Sequence, residues 1–282
     1  MIPLCACGCE SLVSSNDSEI LWLFVQFIHG HTSGRPGGKQ PLFPMAMFFA
    51  PLLLALPLPE AFVALNSTEG MRLLNDAATL RTAYEQTSIH FVSQADEGSC
   101  FRASATIVLN ALSAAGVGAP VARQYHVPVP YPYWTQDQVV SSSCAASNCT
   151  DKFCRGTSLE VATRVLACEA GVGAQEFHAR DPAFETVASL RTKLRDTVGT
   201  PGKYLIANFI GKPMGIDHYG HYSPIVAFNP TEDAVLVLDV SRYKFPPWWT
   251  KVSNLWKGLD SVDDGSDSPK RRGVISVWAR SR

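Results

Sequence analysis

A thiol, an imidazole and a carboxylate stand at positions this chain can bring together, and jointly they are the equipment of acyl transfer. Cys100 opens the segment Cys100 to Leu112, in which Ala103, Ile107, Val108, Ala111 and Leu112 recur at helical spacing before Gly116 and Gly118 end the pattern. A helix N-terminus favours an anion, so a thiol placed there ionises more readily. The turn Asn229 to Asp233 separates two strand-like runs. For a hairpin centred on Pro230 or Thr231, facing positions have numbers summing to about 460 to 462, which sets His221 opposite Asp239. Such a carboxylate fixes the imidazole tautomer and stabilises its cation, as a base that activates a nucleophile requires. Gln94, shortly before Cys100, offers an amide NH2 for the oxyanion of a tetrahedral intermediate, beside the Cys100 N–H. Taken singly, a cysteine at a helix start is commonly a small buried hydrophobe, and a strand histidine beside an aspartate is commonly structural. It is the joint arrangement that specifies acyl transfer through a thiolate.

The elements that must position these residues follow from periodicity and punctuation. Asn66 with Glu69 has capping-box spacing and opens a helix whose apolar face is Met71, Leu73, Leu74, Ala77, Ala78 and Leu80. Thr157-Ser-Leu-Glu160 opens another that Gly171 closes, and Asp181-Pro182 opens a third with Phe184, Val187, Leu190, Leu194 and Val198 on one face. The stretches 127–133 and 141–154 read as loops. Strands are expected over Tyr204 to Ile210, Tyr222 to Phe228, Ala234 to Val240 and Val274 to Trp278. Helices first and an antiparallel sheet afterwards, with no internal repeat, predict one α+β domain over residues 60–282.

Of the 282 residues, 46% are hydrophobic and 17% charged, and 24 basic against 25 acidic side chains leave a net charge of −1. That composition supports a large core and excludes a global field for nucleic acid or anionic lipid. Eight cysteines in irregular clumps are read mostly as free thiols, with Cys168 as core. Cys144, Cys149 and Cys154 could gather a soft ion, but neither they nor Cys5-Ala-Cys7-Gly-Cys9 have the Cys-x-x-Cys pairing of structural zinc, so no metal site is assigned. Residues 1–59 form an N-terminal extension. Gln40 to Pro59 carries no charge, but five prolines interrupt it, which argues against a stable membrane span. The run 45–56, with Arg35 and Lys39 upstream, has the form of a short signal segment, so the chain is either cytoplasmic or exported.

The run Gln94 to Leu112, then Gly220-His-Tyr-Ser-Pro224, Leu238-Asp-Val-Ser-Arg-Tyr-Lys-Phe-Pro-Pro247 and Lys270-Arg-Arg-Gly273 resemble, in order and spacing, the catalytic domain of phytochelatin synthases. Tyr125 and Thr135-Gln-Asp137 look like the compact bacterial-type members. The resemblance implies a papain-like fold, with the nucleophile helix packed on the sheet. It implies Cys100 as nucleophile, His221 as base, Asp239 as its orienter and Gln94 in the oxyanion hole. Glutathione is the implied substrate, cleaved at its Cys–Gly bond through a γ-glutamylcysteinyl thioester, with Asp263 and Arg272 holding the γ-glutamyl end and Arg242 as a further candidate. No cofactor is required; a heavy-metal ion such as Cd, Zn or Cu enters as a substrate thiolate complex or activator. A homodimer is allowed. Two departures matter: Phe101 stands where members commonly have glycine, and Gly211-Lys212 replaces a basic pair near the second-substrate region. With one anchor missing, hydrolysis is expected to exceed chain extension, and with the chain ending soon after the Val274 to Trp278 strand, little built-in metal sensing is expected. The rival readings are another Cys-His-Asp peptidase and a non-enzymatic thiol-rich metal buffer.

Overall fold

The computed structural model describes residues 57–120, 132–263 and 270–280, so Cys5, Cys7, Cys9, the signal-like run 45–56 and Tyr125 lie outside the described residues. Strands are β1 (Phe62–Ala64), β2 (Val172–His178), β3 (Lys203–Ile210), β4 (Gly220–Asn229), β5 (Ala234–Val237), β6 (Trp248–Lys251) and β7 (Gly273–Ala279). Helices are α1 (Thr68–Asn75), α2 (Thr82–Thr87), α3 (Cys100–Ala114), α4 (Gln136–Ser141), α5 (Ser143–Asn148), α6 (Leu159–Cys168), α7 (Val187–Val198) and α8 (Val252–Leu259). The seven strands form one sheet in the order β1-β6-β5-β4-β3-β7-β2, and every pairing is antiparallel. This is an α+β architecture. Among the described residues no helix is long and apolar enough to cross a membrane.

The helix that starts at Cys100 packs on the central strand β4 and is buried on all sides from Cys100 to Leu112. Its small residues Ala103, Ser104 and Ala105 let neighbouring elements approach closely, which a helix carrying long side chains all round would prevent. The other face of β4 and β5 is covered by α1 through Leu73, Leu74, Val226, Ala227, Leu236 and Trp249. The sheet is thus buried on both sides at its centre.

Local capping decides where the remaining helices begin. Ser67, not Asn66, caps α1, its Oγ accepting from the Gly70 N–H at 3.0 Å, while Glu69 turns away to pair with Arg72 at 2.7 Å. The helix then ends at Asn75, and Leu80 leaves it to bridge Phe228. Ser158 caps α6, because the Thr157 hydroxyl is spent on the Cys154 carbonyl. Asp181 and Phe184 close a tight turn, so the helix expected from Asp181 begins only after Thr186, which makes a capping box with Ser189. Within the expected loop 141–154, Ser142 accepts from the Ala145 N–H at 3.1 Å and starts a short helix.

The cysteines correct the free-thiol reading. Cys144 pairs with Cys168 and Cys149 with Cys154, their Cα atoms 5.6 and 5.3 Å apart, which leaves Cys100 as the free thiol among the described residues. No thiol trio remains in 144–154 to gather a soft ion, and Cys168 is a cross-link at the end of α6 rather than core. Connectivity of this kind cannot be read from spacing. The Cys144–Cys168 bridge spans 24 residues and ties α5 to α6. Removing it by paired Ser substitution is expected to cost about 3 kcal/mol, seen as a lowered urea midpoint. An unchanged midpoint would show that the bridge adds no constraint.

Candidate active site

Three local features hold Cys100 at the start of α3. Gly98 has φ +89°, a left-handed conformation that other residues adopt at a cost, and it turns the chain into the helix. Asp96 then accepts from the Ser99 hydroxyl through one oxygen and from Arg102 Nη2 at 2.6 Å through the other, and Arg102 is buried. A carboxylate at a helix start also complements the macrodipole.

His221 comes from β4 and Asp239 from the segment just past β5. The hairpin register runs Asn229↔Ala234 and Phe228↔Val235, one position beyond the expected sum, and a bulge between Ile225 and Ala227 shifts it to Ile225↔Val237. The expected neighbours meet: His221 Nε2 lies 3.0 Å from Asp239 Oδ1. With Nε2 committed there, Nδ1 is the ring nitrogen left for the hydrogen bond with Cys100. Asp239 is inaccessible to water and also takes hydrogen bonds from His218 Nε2 at 2.7 Å, Trp248 Nε1 at 2.8 Å and the Ser241 N–H at 2.9 Å. His218 and Trp248 were not among the expected site residues. Ligand-type atoms of His218, His221 and Asp239 lie within 4.8 Å of one another, but a cation there would displace the protons of these hydrogen bonds.

Burial opposes charge on every member of this group, so the direction of each pKa records what overcomes it. For His221, the Asp239 charge and hydrogen bond and the Cys100 contact outweigh burial and raise it to about 9. For Cys100, the His221 hydrogen bond and charge and the N–H groups of Tyr222 and Phe101 outweigh burial and hold the thiol below its ordinary value. Asp239 is driven below the ordinary carboxylate range by both histidines despite its burial. Both shifts favour the ion pair, a Cys100 thiolate beside a His221 imidazolium, over the neutral pair.

A cavity of about 230 Å³ opens onto Cys100 and is lined also by Phe101, Thr157, Tyr222, Asp263 and Arg272. A larger one, about 430 Å³ over Thr106, Asn110 and Trp134, lies further along α3 and contains none of these groups. Segments 261–263 and 270–272 pair through backbone hydrogen bonds, which brings Arg272 Nη2 to 3.1 Å from Asp263 Oδ1. Asn208 on β3 ties the pair down, accepting from Arg272 Nη1 at 2.7 Å and donating to Asp263 Oδ2 at 3.1 Å and to Tyr222 Oη at 2.9 Å. A Cβ on Gly220 would lie 2.9 Å from Arg272 Nη1, so a side chain there would displace the guanidinium.

Other expectations are placed differently. Arg242 is exposed, its guanidinium 4.7 Å from the Phe91 ring centre, and does not line the Cys100 cavity. Gln94 is buried, but its Nε2 donates to the Asp96 carbonyl at 3.0 Å and to Tyr243 Oη at 2.9 Å, so both amide hydrogens are engaged. Phe101 does not block the cavity; its ring is buried edge-on against Tyr222, centroids 5.6 Å apart.

Residues 53–274 match the family model described as phytochelatin synthase. The chain belongs to the phytochelatin synthase family. Glutathione gamma-glutamylcysteinyltransferase 1 of Lotus japonicus is 28% identical over 79% of this chain and 41% of its own length. The proteins of the same name from Arabidopsis thaliana and Triticum aestivum are 25% and 27% identical over 79% and 80% of this chain, and 43% and 42% of their own. This phytochelatin synthase family chain thus spans less than half the length of those curated relatives.

The ion pair should be readable without substrate. Below about 9 the His221 cation attracts an anionic alkylating agent to Cys100, and that attraction is lost as pH rises through about 9. The advantage of iodoacetate over iodoacetamide at Cys100 should therefore disappear around that pH. A constant ratio across it would mean that His221 does not lose a charge near that pH, against this account.

Proposed function

We propose that this chain is a glutathione γ-glutamylcysteinyltransferase with a papain-like fold, in which Cys100 is the nucleophile, His221 the acid and base, and Asp239 the group that orients His221. The observation that carries this is the juxtaposition, in one cavity, of Cys100 with the Asp263–Arg272 pair. A γ-glutamyl end bears an α-amino and an α-carboxylate group, and Asp263 and Arg272 offer the opposite charges. The names of the relatives support the same substrate.

The thiolate adds to the carbonyl of the Cys–Gly bond and forms a tetrahedral oxyanion. The Cys100 N–H at the start of α3 is one donor to it, and Gln94 supplies a second by exchanging its bond to the exposed Tyr243 for one to the oxyanion. His221 gives its proton to the departing glycine amine, leaving the γ-glutamylcysteinyl thioester on Cys100. Water or a second thiol peptide then takes the acyl group, with neutral His221 accepting its proton. No resident metal or cofactor is needed; a heavy-metal ion enters as a thiolate complex of the acceptor. Gly211 lies against the backbone of Ile216 and His218, where no side chain fits, so a guanidinium at that position is sterically barred. Hydrolysis to γ-glutamylcysteine and glycine is accordingly the main reaction. The two disulfides favour export over a reducing cytoplasm and weigh against a thiol-rich metal buffer.

Incubation with glutathione, with and without Cd, should release glycine and γ-glutamylcysteine in step, with γ-glutamylcysteine oligomers slower. Oligomers dominating from the outset without metal would contradict the loss of the acceptor anchor. Arg272→Ala should slow acylation by glutathione about ten- to a hundredfold, the loss of a charge-assisted hydrogen bond, while Cys100 still reacts with iodoacetamide. Unchanged glutathione kinetics in that variant would overturn the assignment of Arg272.

A further inference from the structure

Asp239 serves two imidazoles. His218 and His221 lie flat on one another, ring centroids 4.1 Å apart and planes 2° from parallel, and each directs Nε2 at a different oxygen of the carboxylate. We propose that His218 is a positioning residue for the Cys100–His221 pair: it holds the second oxygen of Asp239 and stacks on His221, fixing the ring that faces Cys100 and drawing part of the carboxylate's charge away from it. This deepens the acyl-transfer reading and rests on it.

The loop before β4 is built to deliver His218. The Gly211 N–H donates to the His218 carbonyl at 2.8 Å and the Ile216 N–H to the Gly211 carbonyl at 3.2 Å, closing residues 211–218 into a compact turn. A Cβ on Gly211 would lie 2.7 Å from His218 N and 2.8 Å from His218 Cβ, so glycine is what lets the turn close. Phe209 from β3 and Phe245 stand edge-on to the His218 ring and restrict its rotation. The charged and titratable groups that face it are Asp239, His221 and Lys244, the last paired with Asp217 at 3.5 Å. Burial and the adjacent imidazolium keep His218 neutral against the pull of Asp239. It therefore donates Nε2–H as a neutral tautomer.

The chemistry explains why a shared carboxylate helps. His221 must hold a proton in the resting pair and then surrender it to the leaving amine, and general acids work best when their pKa is not far above the working pH. A buried carboxylate with His221 as its only imidazole partner would hold that proton more tightly. A second N–H donor on the same carboxylate moderates the hold and blocks carboxylate rotation.

The test reads the charge on His221 in the full chain, through the pH at which iodoacetate loses its advantage over iodoacetamide at Cys100. His218→Phe keeps a ring in the stack and removes the donor; His218→Gln keeps an N–H donor. The wild-type transition near 9 should move up by about one unit in His218→Phe and return toward its original position in His218→Gln. A transition that stays near 9 in His218→Phe, or that moves equally in both variants, overturns the proposal, since packing alone would shift only the melting temperature. Should His218→Phe fail to fold, nitrogen-15 shifts of the wild-type histidines decide: neutral His218 protonated at Nε2 while His221 is charged supports it, and a charged His218 or an Nδ1–H tautomer overturns it. Alkylation needs no glutathione, so absence of glycine release by the wild type would refute the proposed substrate while leaving the His218 result readable.

Discussion

A carboxylate sealed from water and still ionised is the constraint on which the site depends. Asp239 would be neutral in an apolar surrounding, and it keeps its charge because four donors converge on it from four places: His221 on β4, His218 before β4, Trp248 on β6 and the backbone of Ser241. Each donor fixes a piece of the fold. Trp248 places β6, and β1 pairs with β6 at Ala64↔Trp248. Ser241 carries its hydroxyl to Gln94 Oε1 at 3.1 Å, linking the carboxylate to the chain that leads into α3. Taking away the charge would leave these donors aimed at a weaker acceptor and would remove what raises His221 and, through it, favours a Cys100 thiolate.

From this centre the cavity is organised outward along β3 and β4. His221 and Tyr222 are neighbours on β4 and point to opposite faces. His221 works toward Asp239, while Tyr222 donates to the Thr157 carbonyl at 2.9 Å and meets Asn208 beneath the Asp263–Arg272 pair. One strand therefore carries both the His221 contact to Asp239 and the floor beneath the Asp263–Arg272 pair. Around this cavity two glycines let the chain pass close to its neighbours, Gly220 beside the Arg272 guanidinium and Gly211 against Ile216 and His218.

The parts legible in the sequence are those specified locally. The helix at Cys100 and strands β3, β4 and β7 follow from apolar runs and sharp punctuation, and the turn at Asn229 to Asp233 brings His221 to Asp239 even though the ladder is offset by a residue and then bulged. Strand β6 was hidden because only four residues follow Pro246-Pro247, and β2 because Val172-Gly-Ala-Gln-Glu-Phe-His lacks a β-branched run and is held by its pairing with β7. His218 and Trp248 were hidden for a different reason. Their role exists only through a shared partner, Asp239, which neither spacing nor periodicity connects to them. The disulfides belong to the same class, as does the placement of Arg242 against Phe91 rather than in the cavity.

The central claim is that the buried charge of Asp239 sustains a thiolate on Cys100 near neutral pH. It is tested most directly by the ultraviolet thiolate absorbance of the protein, taken as the difference between wild type and Cys100→Ser, and repeated in an Asp239→Asn background. Asparagine keeps the size of the side chain and removes the charge. The account predicts a thiolate signal at neutral pH in the wild-type pair and its loss in the Asp239→Asn pair; an equal signal in both, with the fold retained, would contradict it.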